Sequence, residues 1–290
     1  IMPDAKDTTY TELWLEALGS PPKRERLLPL EEGVCLNSNK YKIVRRLGAG
    51  GQGTAYLAET KTKESVVLKE YMLPVYVDMK ARKQAIEQFE SEAKMLEKLK
   101  HESIVELKDF FVEDHRAYLV LEYIEGESLK DKVDKNGPLA EVEVIEFAVS
   151  MCDILNYMQS QDPPVVHRVF TPDNLMQSGP GKVKLIDFMV AHEGENVGLT
   201  SQVVGKQAYM PPEQFKGKVS IRSDIYALGA TLYFLLTGKE PEALMPSQPI
   251  LDREDLNPRL NEIIARATAQ NKHDRFANGN ELKLALKSVE

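Results

Sequence analysis

The feature that most constrains the fold is a change in hydrophobic pattern near residue 123. Before it, β-branched and aromatic runs predict short strands at 41–44, 54–58, 65–69, 104–107 and 118–121, with one long helix over 81–99 between them. After it, apolar residues recur at helical spacing over 144–155, and further helices are predicted at 222–236, 257–268 and 279–288. Strands followed by helices predict an α+β chain with two unlike lobes.

Three regions follow from this pattern. Residues 1–40 are predicted to be an N-terminal extension or linker that packs on the next domain, with a docking or autoregulatory segment as the alternative. Residues 41–123 form the first, sheet-rich lobe, and residues 124–290 form the second, mainly helical lobe.

Composition limits the setting and the partners. The 290 residues are 42% hydrophobic and 28% charged, which is globular, and the net charge of −8 argues against nucleic acid as a partner. Cys35 and Cys152 are too few for a disulfide scaffold or an ordinary zinc site, so a reducing, cytoplasmic setting is expected. The N-terminus lacks the pattern of a signal peptide. The uncharged stretch Ile225–Gly238 is shorter than the roughly 20 residues of a spanning helix, so it predicts a buried helix and no membrane segment.

A glycine-rich segment lies between the first two predicted strands. Gly48, Gly50 and Gly53 would let backbone N–H groups approach phosphate oxygens, since no Cβ stands in the way. A strand follows, whereas a dinucleotide-binding fold would have a helix there. On this motif alone, a glycine-rich hairpin without a ligand stays an alternative.

Lys69 ends the next apolar run, and a lysine with buried neighbours needs a counter-charge. On the long helix, Glu92 falls within the sector of Phe89 and Ala93, whereas Glu90 projects outside it. A Lys69–Glu92 pair is therefore predicted, and two unrelated solvated charges are the alternative.

The ordered motifs resemble a eukaryotic-type (Hanks-type) serine/threonine protein kinase domain of the kind found in bacteria, over about residues 41–288. Besides the glycine-rich loop, Lys69 and Glu92, the matching segments are the hinge-like 121–123, the catalytic loop 167–174, the metal-binding turn 187–189, the end of the activation segment at 211–213, and the buried Asp224 and Arg275, which would pair with Glu213. The resemblance implies the bilobal kinase fold, with a small antiparallel sheet and one long helix in the first lobe.

The resemblance also implies a site for ATP and Mg²⁺. Nucleotide-binding roles go to Gly48, Gly50, Gly53, Ala55, Val67, Lys69, Glu122, Tyr123 and Met176. Asn174 and Asp187 would hold the metal. Ala55 and Val67 exchange the residues common at these positions in the family, so an adenine slot lined by both would keep its volume.

The chain departs from the family where the chemistry occurs. Val169 stands where the family has the aspartate that accepts the substrate's proton, and a general base is worth about 10²–10⁴-fold. Asp173 is a poor candidate to replace it, because the family's acidic residue there supports the loop. Thr171 replaces a lysine, and Met189 replaces a glycine whose freedom lets the metal-binding turn move.

Three functions stay open. The leading hypothesis is a pseudokinase that binds Mg–ATP, transfers phosphate poorly and acts as a switch or scaffold for a protein partner; the others are a slow serine/threonine kinase with a protein substrate and a scaffold that binds no nucleotide. Val169 and Met189 are either natural or engineered substitutions. Phosphorylation of Thr200 or Ser201 would let either side chain pair with Arg168, the alternative being an ordinary polar loop.

Overall fold

The chain is described here by a computed structural model that covers residues 28–50, 53–73, 79–187, 191–192 and 206–289. These residues divide into two units. The sheet unit comprises the described residues up to Lys98 together with Glu106–Tyr123, and the helical unit comprises Leu99–Val105 together with the described residues from Ile124 onward.

The sheet unit contains one six-stranded antiparallel sheet in the order β1-β2-β3-β4-β6-β5. Its strands are β1 (Cys35–Leu36), β2 (Tyr41–Gly50), β3 (Gly53–Thr60), β4 (Ser65–Met72), β5 (Leu107–Glu113) and β6 (Arg116–Glu122). Helix α1 (Met79–Lys98) precedes β5, and its Phe89 ring lies edge-on to Phe110 of that strand at 6.3 Å. The antiparallel sheet with one long helix confirms the fold expected for this part of the chain.

One face of this sheet is fully covered. Tyr56, Ala58, Val66 and Leu68 are buried, and the period-2 alternation of strands places them on the same side. Leu30 and Val34 pack against this cluster, and the Leu30 N–H donates to the Tyr56 hydroxyl at 3.0 Å.

Part of the range predicted to be an extension belongs to the sheet. Cys35 and Leu36 pair with Lys42 and Tyr41 as edge strand β1. The first residues of the extension, 1–27, lie outside the described residues.

The strand predicted at 104–107 begins later than the apolar pattern indicates, since β5 starts at Leu107. Ile104 instead forms an isolated bridge with Leu185, and the Val105 N–H donates to the Leu185 carbonyl at 2.9 Å. The apolar pair Ile104–Val105 is thus buried in the helical unit and not in the sheet.

The described residues of the helical unit form buried helices and two short strand pairings, one of them the hairpin β8–β9. Its elements are α2 (Leu129–Asn136), α3 (Glu141–Gln159), β7 (Val165–Val166), β8 (Leu175–Gly179), β9 (Lys182–Leu185), β10 (Ala191–His192), α4 (Ile221–Thr237), α5 (Pro258–Ala267) and α6 (Gly279–Leu286). Helices α4 and α5 approach closely at Gly229, where an added Cβ would lie 2.8 Å from the Ala267 Cβ. The predicted helices of this lobe are confirmed to within a few residues at their ends.

The uncharged stretch from Ile225 lies in α4, whose residues are almost all buried. Within the part of the chain that the structure describes, none of the helices has the length and apolarity to cross a bilayer. The two cysteines differ in environment: Cys35 is exposed on β1, whereas Cys152 is buried in α3, where desolvation raises the pKa of its thiol.

Candidate functional site

The second face of the sheet carries the residues expected to line a nucleotide site. In the β3–β4 register, Ala55 lies opposite Lys69 and Leu57 lies opposite Val67, so all four side chains share one face. These side chains are partly exposed, whereas those of the covered face are buried. Ala55 and Val67 therefore lie on one face of the sheet. This is the arrangement in which exchanging the two residue types would leave the volume of an adenine slot unchanged.

The glycine-rich segment ends in a close backbone approach. Gly50 pairs with Gly53, whose φ of +120° lies in a region that residues other than glycine rarely adopt. A Cβ at Gly53 would collide with the Glu70 carbonyl oxygen and lie 3.1 Å from the Glu70 carbonyl carbon. Gly51 and Gln52 lie outside the described residues.

This geometry separates two glycines of the motif. We expect Gly53→Ala to lower the free energy of unfolding by more than about 2 kcal/mol, because alanine is strained at the positive φ of this position and its Cβ would collide with the Glu70 backbone. Gly48→Ala is the matched control, since an added Cβ there meets nothing within 4 Å. Urea unfolding of both variants measures the contrast, and equal losses would contradict it.

Lys69 lies on β4 and Glu92 lies on helix α1. The Lys69 ammonium lies 5.3 Å from the centre of the Tyr71 ring, and Glu92 accepts a hydrogen bond from Gln88 at 3.1 Å. The Lys69–Glu92 pair stays a prediction.

The expectation that Glu90 projects outside the apolar sector of α1 is wrong. Glu90 is only 8% exposed and forms a 2.5 Å ion pair with Lys94, whereas Glu92 is partly exposed. The pair to Lys94, one turn away, supplies the charge partner that a buried carboxylate requires.

The hinge-like residues end the sheet. Glu122 is the last residue of β6, and its N–H donates to the Glu106 carbonyl at 2.9 Å while its carboxylate accepts from the Glu106 N–H at 3.3 Å. Tyr123 follows and is partly buried. These bonds fix the backbone at the position for which the resemblance implies adenine contacts.

In the helical unit, the start of the catalytic loop is fastened to α4. The carboxylate of the buried Asp224 accepts the N–H groups of His167 at 2.7 Å and Arg168 at 2.8 Å. The buried His167 ring donates to the Asp187 carbonyl and lies edge-on to Phe170, and burial lowers its pKa to about 4. The predicted burial of Asp224 is confirmed, whereas Phe188, expected above His167, lies outside the described residues.

Burial raises the pKa of the Asp224 carboxyl group from 3.8 to about 7, although the hydrogen bonds from the two N–H donors act to lower it. Between these values the folded protein binds more protons than the unfolded chain, so this group's contribution to stability falls as pH rises from about 4 to 7. Asparagine does not titrate. We therefore expect the stability advantage of the natural protein over Asp224→Asn to shrink over this range by at least about 1 kcal/mol, as measured by urea unfolding at several pH values. A constant or growing advantage would contradict the assignment.

Val169 lies in an apolar environment. It is 3% exposed and packs with Met210 and Phe215, while its carbonyl accepts hydrogen bonds from the Asn174 side chain at 2.8 Å and the Thr171 N–H at 3.0 Å. The loop backbone is therefore held in place by hydrogen bonds, but the side chain at this position has no atom that accepts a proton.

Lys206 is the site residue that the sequence analysis missed. Its Nζ lies 2.6 Å from Asp173 Oδ2, 3.2 Å from Thr171 Oγ1 and 3.2 Å from Asn174 Oδ1. Burial opposes ionisation of Asp173, but the Lys206 ammonium and the Thr171 hydroxyl outweigh it and hold the pKa of Asp173 below its usual range. Asp173 is thus a weak base in an ion pair.

The remaining predicted residues of this unit lie near the loop in sequence or in space. The Ile186 N–H donates to the Asn174 carbonyl at 3.0 Å, so Asp187 follows directly after a residue bonded to the loop. Met176 lies on β8 opposite Lys184. Met189, Thr200 and Ser201 lie outside the described residues, whereas Arg168, proposed as the partner of a phosphorylated loop, is 9% exposed.

The predicted Glu213–Arg275 pair is confirmed. Two hydrogen bonds of 2.6 and 3.0 Å join the guanidinium to the carboxylate, and the Arg275 side chain is fully buried. Arg275 also donates to the carbonyls of Ala269, Gln270 and Arg222. This pair fastens the end of the activation segment to the core of the helical unit.

The fold and these motifs define a class. The family model described as "Protein kinase domain" matches residues 41–280, and the chain belongs to that family.

Known relatives are bacterial serine/threonine kinases. The chain is 34% identical over 271 residues to the serine/threonine-protein kinase PknA of a Nostoc species, covering 87% of this chain and 47% of the relative. It is 29% identical over 269 residues to PrkC of Bacillus subtilis, covering 87% of this chain and 41% of the relative. The chain thus spans less than half the length of these curated relatives.

A solved structure supports the same fold. The crystal structure of the Mycobacterium tuberculosis PknI kinase domain matches with a TM-score of 0.72 at 25% identity, over 90% of this chain and all of that domain. The kinase fold expected from the resemblance is confirmed.

Proposed function

We propose that this kinase domain binds Mg–ATP but transfers the γ-phosphate poorly, and that it acts as a nucleotide-dependent switch or scaffold for a protein partner. The observation that carries the proposal is Val169, a buried side chain without a proton acceptor at the position of the family's catalytic aspartate. The ion pair with Lys206 also keeps Asp173 from acting as a substitute base.

Nucleotide binding is supported by the residues that the resemblance assigns to it. Ala55, Val67 and Lys69 share a partly exposed sheet face, and the strand that follows the glycine-rich segment begins with Gly53 in a conformation suited to glycine. The kinase family generally uses ATP with Mg²⁺, and the ammonium of Lys69 would bind the α- and β-phosphates.

The metal-binding residues differ in how well they fit. Asp187 offers a carboxylate, the hard oxygen ligand that Mg²⁺ prefers, and it fits one ion that would neutralise phosphate charge. Asn174 does not fit equally well, because its Oδ1 already accepts a hydrogen bond from the Lys206 ammonium.

The second candidate is a slow serine/threonine kinase. Two structural features favour it: the intact Glu213–Arg275 pair and the hydrogen bonds by which Asp224 holds the backbone of the catalytic loop. The relatives named above are also serine/threonine kinases. Its substrates would be serine or threonine residues of proteins.

The test measures binding and transfer in the same samples. Saturation with Mg–ATP at a hundredfold excess over Kd stabilises a protein by about 2.7 kcal/mol. We expect such a shift for the natural protein, a smaller one for Lys69→Ala, and an unchanged one for the control Lys63→Ala, whose exposed ammonium pairs with Glu59. Transfer of labelled phosphate should stay at background.

The outcomes separate the candidates. If millimolar Mg–ATP does not stabilise the protein, both nucleotide-binding candidates are excluded, and the remaining candidate is a scaffold that binds no nucleotide. Transfer at the rate typical of kinases, about 1–100 per second, would overturn the proposal in favour of the working kinase.

A further inference from the structure

The Lys206 ammonium occupies a cluster of oxygen acceptors in the catalytic loop. The three acceptors are Asp173 Oδ2, Thr171 Oγ1 and Asn174 Oδ1. Lys206 lies 32 residues after Asn174, so folding and not local sequence creates the contact. A carboxylate, a hydroxyl and an amide oxygen around one centre are the ligand types of a hard cation.

The ammonium is fully engaged in this position. A lysine side chain has three N–H donors, and three acceptors lie within hydrogen-bonding distance of this one. Its Nζ is therefore committed to the loop and has no further N–H for a phosphate.

A divalent cation bound to Asn174 would have to share Oδ1 with this ammonium. Two positive charges on one oxygen lie within a few ångströms of each other, and at that separation their repulsion is strong because the surroundings are partly buried. Protein kinases hold two Mg²⁺ ions, one of them through the asparagine of the catalytic loop.

We propose that the Lys206 ammonium takes the place of the divalent cation at Asn174, so that the nucleotide-bound protein carries one divalent cation and not two. The inference rests on the proposed nucleotide binding. It assigns the positive charge beside Asn174 to a side chain of the protein and not to a bound metal ion. It also gives Thr171 a role: the loop position that carries lysine in the family holds a hydroxyl that accepts from the relocated ammonium.

The test counts metal ions. Mn²⁺ is titrated into the protein saturated with a non-hydrolysable ATP analogue, and the bound ions are counted by electron paramagnetic resonance. We expect one Mn²⁺ per protein for the natural chain and two for Lys206→Met, which frees Oδ1. Lys206→Arg keeps a positive charge and should bind one, as should the control Lys218→Met, which removes an exposed lysine.

Each outcome decides a separate point. Two Mn²⁺ on the natural protein, or one on a folded Lys206→Met variant, overturns the inference and leaves the proposed function standing. The measurement on the natural protein decides even where the variant does not fold. Failure of the natural protein to bind the ATP analogue overturns the proposed function, and this inference with it.

Discussion

Val169→Asp is expected to raise phosphoryl transfer by about 10²–10⁴-fold over Val169→Asn, which has nearly the same shape but a neutral amide that cannot act as a base. The aspartate supplies the group that accepts the substrate's proton, on a loop already held by Asp224. Transfer of labelled phosphate from Mg–ATP to the protein itself or to a general acceptor measures the ratio.

The structure adds a cost that the sequence alone does not indicate. Position 169 packs with Met210 and Phe215, so a polar side chain there loses about 1–3 kcal/mol of stability in both variants. Comparing Asp with Asn removes the part of this cost that comes from placing any polar side chain at position 169. Equal transfer by the two variants would show that the base at this position is not what the site lacks.

Arg275→Met is expected to lower the free energy of unfolding by about 3–5 kcal/mol, because it leaves the partly buried carboxylate of Glu213 without its partner. Three backbone carbonyls also lose a donor. Urea unfolding with linear extrapolation measures the loss.

A surface pair provides the control for this prediction. Arg259 and Glu262 form a 3.0 Å ion pair with both side chains more than half exposed, so Arg259→Met should cost less than about 1 kcal/mol. The double variant Glu213→Gln/Arg275→Met should recover part of the loss, since no charge is left buried. Similar losses for Arg275→Met and Arg259→Met would contradict the prediction.

The sequence predicted those features that recur as ordered motifs or as hydrophobic periods. The strand-to-helix change, the buried Asp224 and the Glu213–Arg275 pair follow from residue order, because each has a defined place in the kinase pattern. The shared face of Ala55 and Val67 follows from strand alternation.

Features that depend on distant contacts were not predictable in this way. Lys206 carries no local signal, because its three partners lie more than thirty residues earlier in the chain. The burial of Glu90 on α1 was also not predictable, because helical periodicity follows the apolar residues and does not show which polar side chain the tertiary packing covers. Ile104 and Val105 read as a strand, but they are apolar because they pack in the helical unit.

The different environments of the two cysteines offer a single attachment point for a reporter. A thiol reacts as its thiolate, so Cys152, enclosed in α3, should resist maleimides while Cys35 on the edge strand accepts them. A fluorophore on Cys35 would sit on edge strand β1, beside Leu36, which pairs with Tyr41. Its emission would then report on this edge of the sheet as nucleotide is added.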